Sequence, residues 1–185
     1  MWKNSRTGWG IIAIFMHWVS AVVIIGLFIL GWWMTDLGYY DPWYNQAPWI
    51  HRSLGVLLWG LVILRVVWRF VQPTPAAEGK RWENIAAHAG HLLLYVLLLT
   101  VFVSGYLMST AKGSPIDVFG WFDLPATLHG LPNQASLAGD IHWYSALTLI
   151  ILASGHMLAA FKHHWIDRHA TLKRMLDPRY SVRDK

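Results

Sequence analysis

The chain has 185 residues and a formal net charge of +5; 55% of the residues are hydrophobic and only 14% are charged. This composition excludes an ordinary soluble domain and indicates an integral membrane protein. The sequence contains no cysteine, which also excludes a disulfide framework, a thiolate metal site and haem attached through a Cys-x-x-Cys-His motif.

Four segments are long and apolar enough to cross a membrane. A helix needs about 20 residues to span the hydrocarbon core, and four segments meet that length: 11–34, 50–71, 85–109 and 141–161. The first is longer than the apolar part of a cleaved signal peptide, and no small-residue cleavage site follows it, so we interpret it as a span. We predict an all-α fold, a transmembrane four-helix bundle that forms one membrane domain over residues 1–185.

The basic residues predict the orientation of this bundle. Four spans place both termini on one side of the membrane, and the side rich in Lys and Arg is cytoplasmic. The terminal side carries most of the cations: Lys3, Arg6, Arg69, Lys80, Arg81, Lys162, Arg168, Lys173, Arg174, Arg179, Arg183 and Lys185. The opposite side has only Arg52 and Lys112. We therefore predict cytoplasmic termini, a cytoplasmic basic tail over 162–185, contact with anionic lipid and no nucleic-acid partner.

Histidines are concentrated in the spans. Six of the ten lie inside the spans or at their edges: His17, His51, His88, His91, His142 and His156. An ionisable side chain in a membrane helix is a candidate functional residue, because hydrocarbon offers it no hydrogen-bond partner. For any single histidine, a packing role with a satisfied hydrogen bond remains the alternative.

Depth in the membrane sorts four of these histidines into two pairs. His142 and His156 are fourteen residues apart, which places them on nearly the same helix face and roughly 21 Å apart along the axis. His17 lies near the cytoplasmic start of span one, at the depth of His156. His51 begins span two on the outer side, at the depth of His142.

Two matched histidine pairs are what two bis-histidine haem b groups require. Zinc needs three or four ligands that converge on one point, and no carboxylate lies at these depths. Gly55, one turn after His51, and Gly155, beside His156, fit a pocket that admits a macrocycle. Proton-relay or packing histidines are the alternative. Other glycines also lie inside the spans, where they either let helices approach or make room for a flat group: Gly26, Gly31, Gly60, Gly90 and Gly105.

His88 and His91 form a further pair on span three, three residues apart on one helix face. Their depth also suits the cytoplasmic haem. The sequence leaves three roles open for them: support of a ligand or proton delivery to a quinone, replacement of His17 or His156 as a ligand, and packing.

These motifs resemble the bacterial cytochrome b561 family over essentially the whole chain. The resemblance is carried by Ile14-Phe15-Met16-His17-Trp18, His51-Arg52-Ser53-Leu54-Gly55, Ala87-His88-Ala89-Gly90-His91, Ile141-His142-Trp143 and Gly155-His156. It implies a di-haem protein of the bacterial inner membrane that passes electrons between the periplasm and the quinone pool. By position, His17 and His156 would bind the cytoplasmic haem iron, and His51 and His142 the periplasmic one.

The resemblance also narrows the function. Small members of the family look like superoxide:ubiquinone oxidoreductases, and the short chain favours this activity, with ubiquinone as a substrate. Longer relatives are cytochrome b subunits that anchor periplasmic hydrogenases or dehydrogenases, which is the second hypothesis. The third is a non-redox protein that transports protons or a metal.

Several polar residues are candidates for substrate contacts. Arg52, beside His51, is placed to attract superoxide, although an interfacial anchor or a haem-propionate partner is the alternative. Quinone reduction consumes protons, which titratable groups on the cytoplasmic side can supply: His88, His91, His163, His164 and Lys80. His163 and His164 are alternatively a polar helix end facing lipid head groups. Arg65 suits a haem propionate.

Overall fold

The computed structural model describes residues 1–179 and is mostly helical. Its elements are α1 (Ile11–Met34), α2 (Gln46–Val71), α3 (Arg81–Thr110), β1 (Ile116–Val118), β2 (Phe122–Leu124), α4 (Gln134–Trp165) and α5 (Thr171–Leu176). Within this described part, the four long helices are long and apolar enough to cross a membrane, so the predicted helical membrane fold is confirmed. The predicted cytoplasmic cations Arg183 and Lys185 lie outside the described residues.

Helices α2, α3 and α4 are longer than the apolar segments that predicted them, whereas α1 has the predicted bounds. Hydropathy detects only the part of a helix that lies in hydrocarbon, while helical hydrogen bonding continues into polar flanks. Gln134 shows how this occurs at the start of α4. Its side chain accepts a hydrogen bond from the Leu131 N–H and donates to the Leu107 and Leu128 carbonyls.

The long helices expose apolar side chains. On α1, Phe15, Val22 and Ile29 are each more than 60% exposed. Continuous apolar surface of this kind is costly in water and normal in contact with lipid. The buried polar residues include several serines, of which Ser20, Ser104 and Ser145 each donate to a carbonyl four residues earlier. This bond satisfies the hydroxyl inside an apolar protein.

The chain divides into two compact units, and each contains a stretch of every long helix. The terminal unit comprises Met1–Ala21, Leu61–Leu94 and the described part of Ile151–Lys185; the loop unit comprises Val22–Gly60 and Tyr95–Ile150.

In the terminal unit, the segment after α2 is tied to both ends of the chain. The Arg6 carbonyl accepts a hydrogen bond from the Ala76 N–H. Arg174 is buried, donates to the Ala76 carbonyl at 2.9 Å and forms an ion pair with Glu78 at 3.4 Å. Trp18 on α1 donates to the Met175 carbonyl at 2.7 Å. The short helix α5 is therefore held by specific polar contacts.

In the loop unit, strands β1 and β2 form an antiparallel hairpin that the sequence did not predict. Phe119 and Gly120 have φ values of 53° and 69°, and the Trp121 N–H donates to the Val118 carbonyl. Positive φ at both central residues is the signature of a type I′ turn, whose twist suits a hairpin. The hairpin docks on α2 through Ser53, whose hydroxyl contacts the Asp117 carbonyl and the Phe119 N–H.

Candidate cofactor sites

The loop unit brings together His51 of α2 and His142 of α4, called here the loop-unit pair. Their ring centroids are 6.1 Å apart and the ring planes meet at 75°. Both line a cavity of about 300 Å³, whose walls are largely apolar and come from all four long helices and the hairpin. Arg52 is the one formally charged side chain among the described lining residues. The structure thus places two facing imidazoles in apolar surroundings.

A glycine on a neighbouring helix backs each ring of the loop-unit pair. A Cβ atom on Gly31 would lie 3.0 Å from Cε1 of His51, and one on Gly105 would lie 2.9 Å from Cε1 of His142. Both separations are too short for a carbon contact, so an alanine at either position would push the ring. Nδ1 of His142 donates to the Val101 carbonyl at 2.9 Å.

The sequence placed both glycines inside the spans and left two roles open for them, close approach of helices or room for a flat group. The predicted depths could have identified them, because Gly31 and Gly105 lie near the C-terminal ends of α1 and α3. In the predicted topology these ends are on the side of the membrane where α2 and α4 begin, with His51 and His142. Gly55, which we predicted to make room, does line the cavity, and a Cβ there would meet nothing within 4 Å.

Three of the histidines in the terminal unit, each from a different long helix, are called here the terminal-unit cluster: His17 of α1, His91 of α3 and His156 of α4. The His91 and His156 ring centroids are 5.1 Å apart, and His17 lies within electrostatic range of both. Arg65 donates to Nδ1 of His17 at 2.9 Å. His156 is exposed. Both His17 and His91 are therefore candidates for the second haem ligand opposite His156.

His88 does not share the contact that His91 makes. Its Nδ1 donates to the Asn84 carbonyl on the same helix at 2.7 Å, and its side chain lines a shallow groove together with Arg81. Lys80, which precedes α3, is exposed, and its backbone N–H donates to Glu83. The two histidines of the predicted pair have different partners and need not share a role.

The end of α4 is a charged network. Lys162 contacts Asp167 at 2.6 Å and Glu83 at 3.1 Å, and His163 donates to the same Asp167 oxygen at 2.7 Å. The hydrogen bond from Lys162 lowers the pKa of Asp167. His169 stacks on His163. Although these two imidazoles and the Asp167 carboxylate lie close enough to hold a cation, the ammonium of Lys162 already neutralises that carboxylate, so we assign no metal here.

The two remaining candidates lie apart from such networks. His164 has a buried Nδ1 without a hydrogen-bond partner among the described residues, and its ring lies beside Trp165. Arg52 is exposed, and its Nε donates to the Pro48 carbonyl of its own helix at 3.2 Å. It lies beside His51 and lines the cavity, and its role in attracting superoxide stays a prediction.

The donor chemistry of the loop-unit pair fits a haem b group. The cavity offers two imidazoles on opposing helices and apolar walls, and its described lining has no carboxylate and no third imidazole. Zinc would require further ligands, whereas iron in a porphyrin needs only the two axial nitrogens from the protein.

Fold and site together define a class: multi-pass helical membrane proteins with histidine pairs between apolar helices, the class of membrane-bound b-type cytochromes. The family model for prokaryotic cytochrome b561 matches residues 8–178. The chain belongs to this family, as the sequence motifs suggested.

Several relatives are similar over nearly their full lengths. Cytochrome b561 homolog 2 of Escherichia coli (strain K12) is 47% identical over 175 residues, covering 94% of this chain and 93% of the relative. The probable superoxide oxidase CybB of Yersinia pestis is 27% identical over 166 residues, covering 87% and 91%. Cytochrome b561 homolog 1 of Escherichia coli (strain K12) is 25% identical over 174 residues, covering 90% and 95%.

Membership has direct consequences. Proteins of this family are haem b proteins that transfer electrons in the membrane. With its four membrane-length helices, this chain is a multi-pass protein of the bacterial inner membrane. Electron transfer in the membrane therefore replaces the non-redox transport hypothesis.

Proposed function

We propose that the protein is a di-haem superoxide:ubiquinone oxidoreductase, with its termini in the cytoplasm and the loop unit toward the periplasm. The observation that carries the proposal is the loop-unit pair, two facing imidazoles in an apolar cavity whose one formally charged described lining residue is the cation Arg52. The relative named a probable superoxide oxidase supports the same activity.

His51 and His142 would hold the periplasmic haem, and His17 and His156 the cytoplasmic one. When bound, the haem groups supply one-electron carriers inside the hydrocarbon core. The chain supplies ligands, apolar walls that exclude water, and positive charge for the propionates. His91 is the rival ligand on the cytoplasmic side, because its ring lies 5.1 Å from that of His156.

Arg65 and His17 must rearrange if His17 is a ligand. A guanidinium only donates hydrogen bonds, so Nδ1 of His17 accepts the one from Arg65 and the ring proton sits on Nε2. Ligation through Nε2 therefore requires Arg65 to release the ring. A propionate is the natural new partner, because it accepts strong charge-assisted bonds from arginine.

The proposed reaction needs a site for the superoxide anion on the periplasmic side of the membrane and a supply of protons on the cytoplasmic side. Each superoxide gives up one electron and becomes dioxygen, while one ubiquinone takes up two electrons and two protons and becomes ubiquinol. Arg52 would draw superoxide toward the cavity beside His51. On the cytoplasmic side, His163 with Asp167, His164, His88 and His91 are the titratable groups placed to supply protons.

The proposal is tested on the purified protein. We expect a reduced b-type absorption spectrum, two haems per chain, and superoxide consumption that depends on added ubiquinone. Alanine at His51 or His142 should remove one haem, and alanine at His156 should remove the other. A haem spectrum that superoxide does not reduce would refute the activity.

A second function is favoured by one feature of the loop unit. The segment between α1 and α2 exposes Tyr39 and Tyr40, and exposed aromatic side chains are common at protein interfaces. An electron-carrying anchor for a periplasmic hydrogenase or dehydrogenase would use such a surface. Stable co-purification of a periplasmic subunit, lost when both tyrosines are changed to serine, would favour this function over the first.

A further inference from the structure

We propose that Gly31 and Gly105 are positioning residues for the ligands of the periplasmic haem. Each glycine gives one imidazole access to the backbone carbonyl four residues earlier on a neighbouring helix, which orients the ring and directs Nε2 toward the iron. The inference rests on the proposed function insofar as His51 and His142 bind haem.

The same contact between a glycine and an imidazole occurs twice, on different pairs of helices, and in one of the two the hydrogen bond to the carbonyl is formed. His142 of α4 lies against Gly105 of α3, and its Nδ1 donates to the Val101 carbonyl at 2.9 Å. His51 of α2 lies against Gly31 of α1, and the Leu27 carbonyl faces its ring. Val101 and Leu27 each precede the glycine by four residues.

Helix geometry explains why the residue at this position must be glycine. The carbonyl of residue i−4 accepts the helical hydrogen bond from residue i but keeps a second lone pair. A side chain at position i leans toward the helix N-terminus and covers the preceding turn, including that carbonyl. Without a side chain, the carbonyl stays open to a donor from a neighbouring helix.

The hydrogen bond determines which ring nitrogen is available to a metal. Once Nδ1 donates to a carbonyl, the neutral imidazole has its free lone pair on Nε2. Distances from a Cβ placed on the glycine show which edge of each ring faces it. For His51 the Cβ would lie 3.0 Å from Cε1 and 4.0 Å from Nε2; for His142 the two distances are 2.9 Å and 3.9 Å. The glycine side of each ring is thus the Nδ1 and Cε1 edge.

For His51, the hydrogen bond from Nδ1 to the backbone carbonyl is not formed. Nδ1 of His51 is buried without a hydrogen bond to the described residues, although the Leu27 carbonyl faces the ring. A buried N–H without a partner is costly, so a small rotation toward Leu27 is favourable. This rotation would bring His51 to the state that His142 already shows.

The test uses Gly31→Ala and Gly105→Ala in the full-length haem protein. Gly26→Ala is the matched control on α1 and Gly60→Ala is a second control on α2, because a Cβ at either position meets nothing within 4 Å. The measurements are the amount of each haem per chain, its affinity in haem titrations and its midpoint potential.

Gly31→Ala and Gly105→Ala should each lower the affinity for the periplasmic haem, the one that His142→Ala removes. The expected loss of affinity is about 10- to 100-fold, as for loss of an outer-shell partner. Any of that haem that remains should have a higher midpoint potential, because a weaker Nδ1 hydrogen bond makes the imidazole less basic and stabilises ferric iron less. The other haem should be unchanged, as should both haems in the controls.

Two results would overturn the inference. One is normal affinity and potential in both glycine variants. The other is loss of both haems from either variant, which would indicate a general need for close helix packing. Failure of the proposed function looks different: His51→Ala and His142→Ala would then leave the haem content unchanged.

Discussion

At the scale of single residues, the two histidine groups differ in the direction of their hydrogen bonds. Nδ1 of His142 donates to a backbone carbonyl, whereas Nδ1 of His17 accepts from Arg65. The first arrangement leaves Nε2 free to bind a metal, and the second leaves a proton on it. Under the proposed function, Arg65 would therefore control whether His17 can act as a ligand. The sequence could not show this contact, because it identified Arg65 only as a propionate partner.

Replacing Arg65 tests this control. If the guanidinium moves to a propionate of the cytoplasmic haem, Arg65→Ala should weaken that haem's binding roughly 10- to 100-fold, since a hydrogen bond to a charged group contributes about 1.5–3 kcal/mol. Haem titration with the purified apoprotein measures the loss. Arg69→Ala, one turn further along α2, is the control. Unchanged or tighter binding in Arg65→Ala would show that the guanidinium only blocks His17.

At the scale of elements, the hairpin β1–β2 is tied to the same helix that carries His51. Ser53, two residues after His51, is fully buried, and its hydroxyl donates to the Asp117 carbonyl and accepts from the Phe119 N–H. One hydroxyl thus satisfies two backbone groups of the hairpin. Because the hairpin residue Ile116 also lines the cavity, this contact supports a wall of the proposed haem site.

Ser53→Ala should therefore destabilise the loop unit. Removing the hydroxyl takes a hydrogen-bond partner from two part-buried backbone groups, the Phe119 N–H and the Asp117 carbonyl, at a cost of about 0.5–1.5 kcal/mol for each hydrogen bond. Thermal unfolding in detergent, followed by haem absorbance, should show a lower midpoint than wild type. The exposed Ser114 supplies the control variant Ser114→Ala. Equal midpoints for the two variants would mean that the hairpin does not depend on Ser53.

The helices themselves were predictable, but three of the four long helices extend beyond the apolar segments that predicted them. The apolar segment 141–161 predicted α4, yet the helix runs over Gln134–Trp165. Its first turns are held by the side chain of Gln134, which bonds to residues of α3 and of the loop before α4. Contacts of this kind leave no mark in a hydropathy profile, since they depend on where other segments lie.

At the scale of the whole molecule, each compact unit contains one histidine group. The loop unit holds His51 and His142, and the terminal unit holds His17, His91 and His156. Spacing along the helices predicted this division, because a helix rises by a constant 1.5 Å per residue. The assignment of ligands within the terminal unit remains a prediction, since the terminal-unit cluster has three imidazoles and not two.

The membrane orientation can be measured directly, because the chain has no cysteine. Two exposed lysines provide sites for single-cysteine labelling. Lys3→Cys lies before the start of α1, and Lys112→Cys lies just after the end of α3. A membrane-impermeant maleimide applied to intact spheroplasts should label Lys112→Cys at once and Lys3→Cys only after lysis. The opposite pattern would place the termini in the periplasm and exchange the sides proposed for superoxide and quinone.

The sequence by itself determined the membrane class, the four helices, the spacing of the histidines along them and the family. These properties follow from local composition and from the regular rise of a helix, which neighbouring residues already encode. Only the tertiary structure placed Gly31 against His51 and Gly105 against His142, brought His91 to His156, and folded the hairpin onto Ser53. Those contacts join side chains that are distant in sequence, and their geometry depends on how the helices pack.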